Sequence, residues 1–443
     1  MRRAARPLLY LGVFVVVFGL AKIHAEFIGH YDLTGSGRFG WAFAYAATQC
    51  VVAYGFGLPD VPRTRRSALA STVGAAFLGA TVFSLLQLFS GDALLPRFVV
   101  LGAALLLPDW YRISVRLHSG GRIRDEARDR IVVVASAQEV ARLAVELHAS
   151  PERPASIHAA FTIVEATEGQ EGGRPLESMR EAPPTVLVLD REAQDEPAIV
   201  AQAAELHRLG VRVRSLTMFY EEWLGKLPLS ELERASMLFD IREVHNGRYG
   251  RVKRLIDLPL ALAGTLALAV VVPVVWLANL VGNRGPLIYR QARVGKGGEE
   301  FMIVKFRTMT PRPSGDLVNE WTTEDDPRIT PVGGILRTTH LDELPQVINI
   351  LKGDLGVVGP RPEQPRYVEE LRDKLPFYDH RHLVRPGLTG WAQVKYGYAG
   401  SESDALEKLQ YEFWYLRHQS VATDARIIGR TVRSVLGSEG RGR

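Results

Sequence analysis

Cysteine is almost absent from this sequence, and its scarcity narrows the chemistry that the protein can perform. Cys50 is the only cysteine among 443 residues, so no disulfide can form within the chain and no metal site can be built from cysteine ligands. The excess of positive over negative charge is also small. The formal net charge is only +5, and no run of Lys or Arg alternates with aromatic residues as it does in groove-binding proteins. The sequence therefore predicts no nucleic-acid partner.

Glycine-rich phosphate-binding loops are missing as well. The predicted strand 131–135 runs into Ser-Ala-Gln-Glu-Val, which contains no glycine, so the dinucleotide-binding fingerprint is absent. The Gly-Lys-Gly-Gly segment at 295–298 lacks the spacing and the Lys-Ser/Thr ending of a Walker loop, and a hairpin turn is the favoured interpretation. These absences exclude the two commonest nucleotide-binding loops.

Long apolar runs occupy most of the first 115 residues. Arginines collect before the first run, between the second and third, and after the fourth, as the positive-inside rule requires for four crossings with both ends in the cytoplasm. A cleaved signal peptide is the alternative for the first run. We predict a four-helix transmembrane region over 1–115, with apolar stretches at 8–22, 39–58, 67–89 and 94–110.

From about residue 130 the pattern changes to alternating strands and helices. This alternation predicts a small parallel sheet, and we interpret 128–226 as a cytoplasmic Rossmann-like α/β module. A docking or regulatory role is favoured for it, and ligand binding stays open. The predicted strands lie at 131–135, 156–164, 185–190 and 211–216, and helices lie near 138–148 and 198–209.

A fifth apolar stretch, 255–282, is long enough to cross a bilayer, but three features argue against a plain crossing. Basic residues flank both of its ends, and Pro273 interrupts its helical hydrogen bonds. A fifth crossing would also place the following acidic and arginine-rich segment outside the cell. We therefore predict a broken, re-entrant helix that enters one leaflet and returns.

The densest concentration of reactive residues is the segment 336–363. It contains the adjacent acids Asp342 and Glu343 between Arg337 and Arg361. The segment 338–349 is predicted to begin a helix, with both acids in its first turn. Acids at a helix start alone would only complement the helix dipole, whereas carboxylates beside fixed guanidiniums suit phosphate chemistry. Upstream, Lys305 and Arg307 alternate on one predicted strand face, where they could either contact an anion or be solvated at the surface.

From about residue 251 onward the chain contains, in order, the segments KRLIDLPLAL, GPLIYRQARVGKGGEEF, KFRTM, DPRITPVGGILR, LDELPQVINILKGDLGVVGPRPE and RPGLTGWAQV. In these segments it resembles the bacterial sugar transferase family, the polyprenyl-phosphate sugar-1-phosphate transferases that start surface polysaccharide assembly. The order of four spans, an α/β module and this domain resembles the long-form members. The resemblance implies a mostly helical, monotopic catalytic domain over 248–443 with a re-entrant helix, so the whole protein is expected to be a membrane protein of class α plus α/β.

The resemblance also implies a reaction and its participants. Asp342 matches the nucleophile that attacks the β-phosphate of a UDP-sugar, which releases UMP and leaves an aspartyl-phosphosugar. Undecaprenyl phosphate then accepts the phosphosugar, and this product starts exopolysaccharide, capsule or O-antigen assembly. Glu343 matches the acid associated with Mg²⁺, with Asp342 as its neighbour at the metal. The family places this chemistry at the cytoplasmic face of the bacterial inner membrane, in contact with the lipid bilayer.

Basic and proline residues complete the implied site. Arg337 matches a phosphate clamp, Lys305 and Arg307 are further phosphate-binding candidates, and Arg361 with its neighbours matches a nucleotide contact. The nucleotide-binding set is Pro360, Arg361 and Pro362.

Three positions depart from the family pattern. Thr338 and His340 stand where basic residues are usual, and Val272 stands where a serine commonly precedes the helix-breaking proline. The transferred sugar is not identified by the sequence, and the soluble module is compatible with a homodimer. The alternative function is a non-catalytic membrane scaffold or regulator of polysaccharide assembly, which would release no UMP. A glycosyltransferase that moves the sugar without its phosphate would release UDP.

The last predicted helix, 424–436, carries arginines at helical spacing opposite apolar residues. Such a helix could lie on the membrane surface or could be a core helix with one solvated face.

Overall fold

The computed structural model divides the protein into two compact units. One comprises Met1–Asp60, Ala68–His118 and Phe239–Arg443, and the other comprises Val61–Ser67 and Ser119–Leu238. The structure describes residues 5–35, 37–59, 65–90, 95–119, 128–150, 154–168, 175–176, 179, 183–228, 247–283, 285–310, 326, 328–375, 377–396 and 402–436.

The first unit begins with four apolar helices whose small and large residues form one common core. Polar side chains join the helices inside that core: the Tyr45 hydroxyl donates to the Val100 carbonyl at 3.0 Å, and Gln49 Nε2 donates to the Ala76 carbonyl at 3.1 Å. Such bonds satisfy groups that could not remain unpaired in an apolar interior. The helices are α1 (Ala5–Ile23, extended by a π-helical turn His24–Ile28), α2 (Arg38–Gly55), α3 (Arg65–Ser90) and α4 (Arg97–Ser119).

The second unit is built on a parallel four-stranded sheet in the order β2-β1-β3-β4. Alternate residues of β1 pack into two different apolar clusters, one on each face of the sheet, as expected for a parallel sheet covered on both sides. The predicted small parallel sheet is thus confirmed, whereas the Rossmann-like assignment stays a prediction. The strands are β1 (Asp129–Val134), β2 (Ala155–Phe161), β3 (Val186–Leu189) and β4 (Arg212–Ser215), and the helices are α5 (Ala137–Ala149), α6 (Ile163–Glu168), α7 (Arg191–Asp195), α8 (Pro197–Arg208) and α9 (Leu216–Phe219).

The carboxyl ends of β1 and β3 meet at the point where parallel sheets of this kind commonly bind ligands. Here the buried carboxylate of Asp190 accepts hydrogen bonds from the backbone N–H groups of Ser136, at 3.2 Å, and Ala193, at 2.7 Å. The Asp190 carboxylate therefore already occupies the position beside the start of α5, at the edge of the sheet where such ligands commonly bind.

The predicted re-entrant segment lies within one long helix, α10 (Gly247–Gly282), which contains Pro259 and Pro273 in its interior. The helix does not end at Pro273, so the expected break is not seen as a helix boundary, and re-entry stays a prediction. One side of the helix packs against the rest of its unit through Ala261, Leu268 and Val275. The other side exposes large apolar residues, and Val281 is 85% exposed.

Within the described ranges, four helices are long and apolar enough to cross a membrane by length and composition: Pro7–Ile28, Ala68–Leu85, Arg97–Ser119 and Tyr249–Gly282. Three of them overlap stretches predicted as spans. The predicted span 39–58 forms α2 but is not among the four, while the predicted re-entrant segment is. The number of candidate spans thus equals the number predicted, but one member differs. A crossing by 39–58 stays a prediction.

After α10 the chain forms the hairpin that was predicted around 295–298. Strands β5 (Ile288–Val294) and β6 (Glu300–Phe306) pair antiparallel, and Gly297 and Gly298 take φ values of +73° and +84° in the turn between them, a conformation that glycine adopts without steric cost. The later elements are α11 (Pro331–Thr338), a 3₁₀ helix (Leu341–Gln346), α12 (Val347–Lys352), β7 (Gly356–Val358), α13 (Pro365–Lys374), a second 3₁₀ helix (Tyr378–Leu383), β8 (Gly387–Thr389), α14 (Trp391–Lys395), α15 (Glu402–Arg417) and α16 (Val421–Leu436). Strands β7 and β8 pair parallel.

Candidate active site

The two adjacent acids lie on a tight turn between two helices. The sequence predicted a single helix start over 338–349, but α11 ends at Thr338, and His340 takes the left-handed conformation with φ +55°. The chain then forms the 3₁₀ helix Leu341–Gln346 before α12 begins. Pro345 inside this segment has no N–H to donate to an α-helical ladder. Asp342 and Glu343 therefore project from a short turn rather than from the side of a regular helix.

Glu343 is held by two cations. Its Oε1 accepts from Lys305 Nζ at 2.6 Å and from Arg361 Nη2 at 2.9 Å, and only 17% of its side chain is exposed. Burial alone would raise the pKa of Glu343, but Arg361 and Lys305 outweigh burial and hold this pKa well below its usual range. The two cations therefore fix the Glu343 carboxylate in place and favour its ionised form.

Asp342 is in the opposite situation. Among the described residues its carboxylate has no hydrogen-bond partner, although it is half-buried. Burial, followed by the negative charge of Glu343, raises the pKa of Asp342, and the charges of Lys305, Arg337 and His340 offset part of this rise. Adjacent residues thus present one clamped carboxylate and one that we call unengaged, because it accepts no hydrogen bond in the described part of the chain.

The backbone around Arg361 is fixed by the β7–β8 pair. The N–H of Gly387 donates to the Pro360 carbonyl at 2.8 Å, and the N–H of Gly359 donates to the Thr389 carbonyl at 2.9 Å. Both prolines beside Arg361 are buried. The loop that presents the Arg361 guanidinium to Glu343 is therefore rigid.

Arg381 and Glu412 also hold this loop, although no sequence pattern predicted them there. Arg381 Nη2 donates to the Arg361 carbonyl at 2.9 Å and to Glu412 Oε1 at 2.7 Å, and both charged side chains are only 4% exposed. Glu412 raises the pKa of Arg381 against the opposing effect of burial. No local pattern connects two residues that are 31 positions apart, so this pair could be found only in the folded structure.

The region that carries this site matches the family model described as bacterial sugar transferase over residues 248–438. A UDP-N-acetylgalactosamine-undecaprenyl-phosphate N-acetylgalactosaminephosphotransferase of Aeromonas hydrophila is 40% identical over 192 residues, which are 42% of this chain and 44% of the relative. A UDP-glucose:undecaprenyl-phosphate glucose-1-phosphate transferase of Escherichia coli is 40% identical over 185 residues, 41% of this chain and 39% of the relative. An enzyme of the latter name from Caulobacter vibrioides is 39% identical over 189 residues, 42% of this chain and 69% of the relative.

The chain belongs to the bacterial sugar transferase family. Its match spans less than half the length of the Aeromonas and Escherichia relatives. The matched region contains every residue that the sequence singled out for chemistry, from Lys305 to Pro362.

Within this sugar transferase region, the two candidates on β6 and just after it differ in role. Both are largely buried, so the interpretation as solvated surface is wrong for each. Lys305 reaches Glu343 at the site, whereas the Arg307 guanidinium donates to the carbonyls of Pro286 at 2.7 Å and Asn283 at 2.5 Å. These contacts favour a structural role for Arg307 at the end of α10, and its phosphate-binding role stays a prediction.

Arg337 lies beside the acids at the end of α11. Its Nη2 is 3.5 Å from Met309 Sδ, a weak acceptor, and its charge acts to lower the pKa of Asp342. Arg337 is therefore near the unengaged carboxylate, as a phosphate clamp would have to be.

The oxygen donors at the site suit Mg²⁺. Both cations bind the same oxygen of Glu343, Oε1, so that among the described residues Oε2 and the Asp342 carboxylate have no hydrogen-bond partner. No group of three His, Cys, Asp or Glu side chains that could hold a metal occurs in the described part of the chain. Mg²⁺ commonly binds through one or two carboxylates, with substrate phosphates and water completing its coordination. The residues present fit that mode of binding.

Proposed function

We propose that the protein is a phosphoglycosyl transferase that moves a sugar-1-phosphate from a UDP-sugar to undecaprenyl phosphate. The observation that carries this proposal is the pairing of an unengaged carboxylate, Asp342, with a clamped one, Glu343, beside Arg337. The family membership supports the same reaction class, because the relatives are named as transferases of glucose-1-phosphate and N-acetylgalactosamine phosphate to undecaprenyl phosphate.

The first half-reaction forms a covalent intermediate on Asp342. A carboxylate oxygen attacks the β-phosphorus of the UDP-sugar, and the bond from this phosphorus to the bridging oxygen breaks, so that UMP leaves with the bonding electrons. An ionised carboxylate can act as such a nucleophile. No described residue donates a hydrogen bond to Asp342, which supports this role, since no such bond has to be broken before attack.

The second half-reaction returns the enzyme to its starting state. A phosphate oxygen of undecaprenyl phosphate attacks the same phosphorus, and the Asp342 carboxylate leaves. The products are undecaprenyl diphosphate sugar and free enzyme. Division into two steps lets a water-soluble donor and a lipid acceptor use one site in succession.

The charged residues around Asp342 bind and orient the phosphates. Arg337 is proposed to clamp the phosphate under attack, and Arg361, fixed between its two prolines, is proposed to contact the nucleotide. Bound at Glu343 and Asp342, Mg²⁺ would offset the negative charge of the diphosphate. Lys305 keeps Glu343 ionised and fixed in place.

We also propose that α10 is re-entrant and that the transferase domain lies on the cytoplasmic side of the bacterial inner membrane. Arg254, near the start of α10, donates to the carbonyls of Ile350 and Leu351, and Asn283, just after its end, bonds Arg307. A 36-residue helix is about 54 Å long at 1.5 Å per residue, whereas the hydrocarbon core is about 30 Å thick. Contact of both ends with one domain supports a helix that stays on one side of the bilayer.

Intact mass of the detergent-purified protein tests the covalent step. The protein is incubated with Mg²⁺ and, separately, UDP-glucose, UDP-galactose and their N-acetylated analogues, beside Asp342→Asn and the matched control Asp379→Asn, an exposed carboxylate of the same domain. A phosphosugar adduct in the wild type and control but not in Asp342→Asn is expected, and it would identify the donor.

Other outcomes separate the alternatives. No adduct from any donor, but UMP release after undecaprenyl phosphate is added, would replace the covalent route by direct transfer. UDP release would indicate a glycosyltransferase. Release of neither nucleotide would overturn the proposal in favour of a non-catalytic scaffold.

A further inference from the structure

The last helix, α16, contacts the transferase core on one of its faces. Ile427 is fully buried and packs in a cluster with Val358 of β7 and Trp391, and the hydroxyls of Thr431 and Thr389 are 2.7 Å apart. This face of α16 therefore supports the β7–β8 pair. On this face α16 is a core helix, which was one of the two interpretations of the segment 424–436. It is not a helix that lies only on a membrane surface.

A different part of α16 contacts the second N-terminal helix, α2, with almost no side chain between the two backbones. A Cβ atom added to Gly429 would overlap the backbone of Gly55, and one added to Gly55 would lie 2.7 Å from the Ala425 carbonyl oxygen. Real Cβ atoms do not approach backbone atoms so closely, so both positions require glycine. Small residues allow this kind of close helix contact.

A polar contact fixes the position of the two helices relative to each other. Arg426 Nη2 is 3.1 Å from the Tyr54 hydroxyl oxygen, and the guanidinium carbon lies 5.5 Å from the centre of the Tyr54 ring. Arg426 thus places a cation beside the last turn of α2, where the helix dipole favours positive charge. Val432, further along α16, packs against the core of the N-terminal helices.

These contacts form a continuous path from α2 to the candidate site. Gly429 and Arg426 bind α2, Ile427 and Thr431 of the same helix bind β7 and β8, and the β7–β8 pair holds the Arg361 loop by the backbone hydrogen bonds already described. A displacement of α16 would therefore change the position of Arg361 relative to Glu343.

We infer that the contact between Gly55 and Gly429, which we name the glycine contact, makes α2 a part of the scaffold that positions Arg361. Tyr54 and Arg426 are positioning residues in the same contact. The N-terminal helices then have a role in the reaction itself, in addition to attachment to the membrane. The inference of a mechanical link stands on the contacts alone, and only its effect on turnover rests on the proposed function.

The test compares Gly429→Val with Gly40→Val in the full-length protein in lipid nanodiscs. Gly40 is a matched control because it lies in α2 and no atom of the described residues lies within 4 Å of an added Cβ. Amide hydrogen exchange is measured at Gly359 and Gly387, whose N–H groups form the hydrogen bonds of the β7–β8 pair. We expect exchange there to rise about tenfold in Gly429→Val, equivalent to about 1.4 kcal/mol, and to be unchanged in Gly40→Val.

UMP release is the second readout. We expect Gly429→Val to lose about ten- to a hundredfold in kcat/KM, since small displacements of binding groups have effects of that size, with the KM for the UDP-sugar raised because Arg361 is displaced. Wild-type protein that releases no UMP from any donor would refute the proposed function, while hydrogen exchange would still decide the present inference.

A double-mutant cycle covers the case in which Gly429→Val fails to fold. Tyr54→Phe removes only the hydroxyl, and Arg426→Met removes the guanidinium while keeping an unbranched chain. If the contact positions the β7–β8 pair, each single change should raise exchange at Gly359 and Gly387, and the double variant should add little to either. Unchanged exchange at both amides in all variants that fold would overturn the inference, whatever their activity.

Discussion

The two adjacent acids of the site should respond in opposite ways to loss of their charge. Glu343→Gln removes the negative charge that Lys305 Nζ and Arg361 Nη2 share. The variant would remove from these two partly buried cations the carboxylate that both of them bind, and removal of one partner is the expensive way to break an ion pair. Asp342→Asn removes a charge that accepts no hydrogen bond from the residues that the structure describes and that burial already disfavours. We therefore expect Glu343→Gln to destabilise the protein and Asp342→Asn to leave its stability unchanged or raise it.

The magnitude follows from burial and geometry. Removal of one partner of a buried ion pair costs about 3–5 kcal/mol. Because the Arg361 side chain is 33% exposed and therefore partly screened by water, we take the lower limit, about 3 kcal/mol. For a domain of about 200 residues this corresponds to a fall in Tm of about 6–12 °C.

The pH dependence gives a second signature with a definite sign. The lowered pKa of Glu343 means that its stabilisation is lost only when the pH falls through that low value, so the deficit of Glu343→Gln should persist from about pH 8 to about pH 5. The raised pKa of Asp342 means that its ionised form opposes folding above that pKa. Any advantage of Asp342→Asn should therefore be largest at high pH and disappear as the pH falls and the wild-type carboxyl takes up its proton.

The assay is thermal unfolding of the detergent-purified proteins, followed by intrinsic tryptophan fluorescence. Both substitutions keep the size of the side chain and lie one residue apart, so each is the control for the other. Equal losses of Tm in the two variants, or a larger loss in Asp342→Asn, would refute the assignment of Glu343 as the clamped carboxylate.

Two further predictions concern catalysis and topology. The rate of adduct formation should decrease as the pH is lowered toward the raised pKa of Asp342, since only the ionised carboxylate attacks phosphorus; a single-turnover rate that falls only at or below the ordinary aspartate pKa of about 3.9 would contradict this. In a Cys50→Ser background, Lys352→Cys on the exposed end of α12 should react with a membrane-impermeant maleimide only after the cells are opened. Labelling of intact cells would place the transferase domain outside and refute the re-entrant arrangement of α10.

Local sequence patterns predicted the local structure well. The alternation in 288–306, with glycines at 297 and 298, predicted the hairpin β5–β6, and the buried apolar runs predicted the parallel strands. The segment 338–349 was less well predicted, because helix-like composition does not reveal a left-handed residue such as His340 between two helices. Periodicity indicates which residues share a face, but it does not indicate where one helix ends and the next begins.

Contacts between distant residues could not be predicted in this way. Lys305 and Arg307 have the same alternating position in the sequence, yet one binds Glu343 and the other binds backbone carbonyls at the end of α10. The difference arises because the carbonyl groups that Arg307 binds belong to the segment after α10, which lies beside Arg307 only in the folded chain. The same holds for Arg426 and Tyr54, which are 372 residues apart. No local pattern encodes such pairs.

The arrangement of charges explains why a rigid surrounding is needed at this site. Glu343 is useful as an anchor only if Arg361 and Lys305 stay within hydrogen-bond distance, because a buried carboxylate without them would take up a proton. Lys305 is fixed by its strand, because Asn349 accepts a hydrogen bond from the Val304 N–H and donates one to the Met302 carbonyl. Arg361 is fixed by β8 and Arg381. The ionisation of Glu343 therefore depends on two separately built supports. Because both cations bind Glu343 Oε1, neither donates a hydrogen bond to Asp342 in the part of the chain that the structure describes.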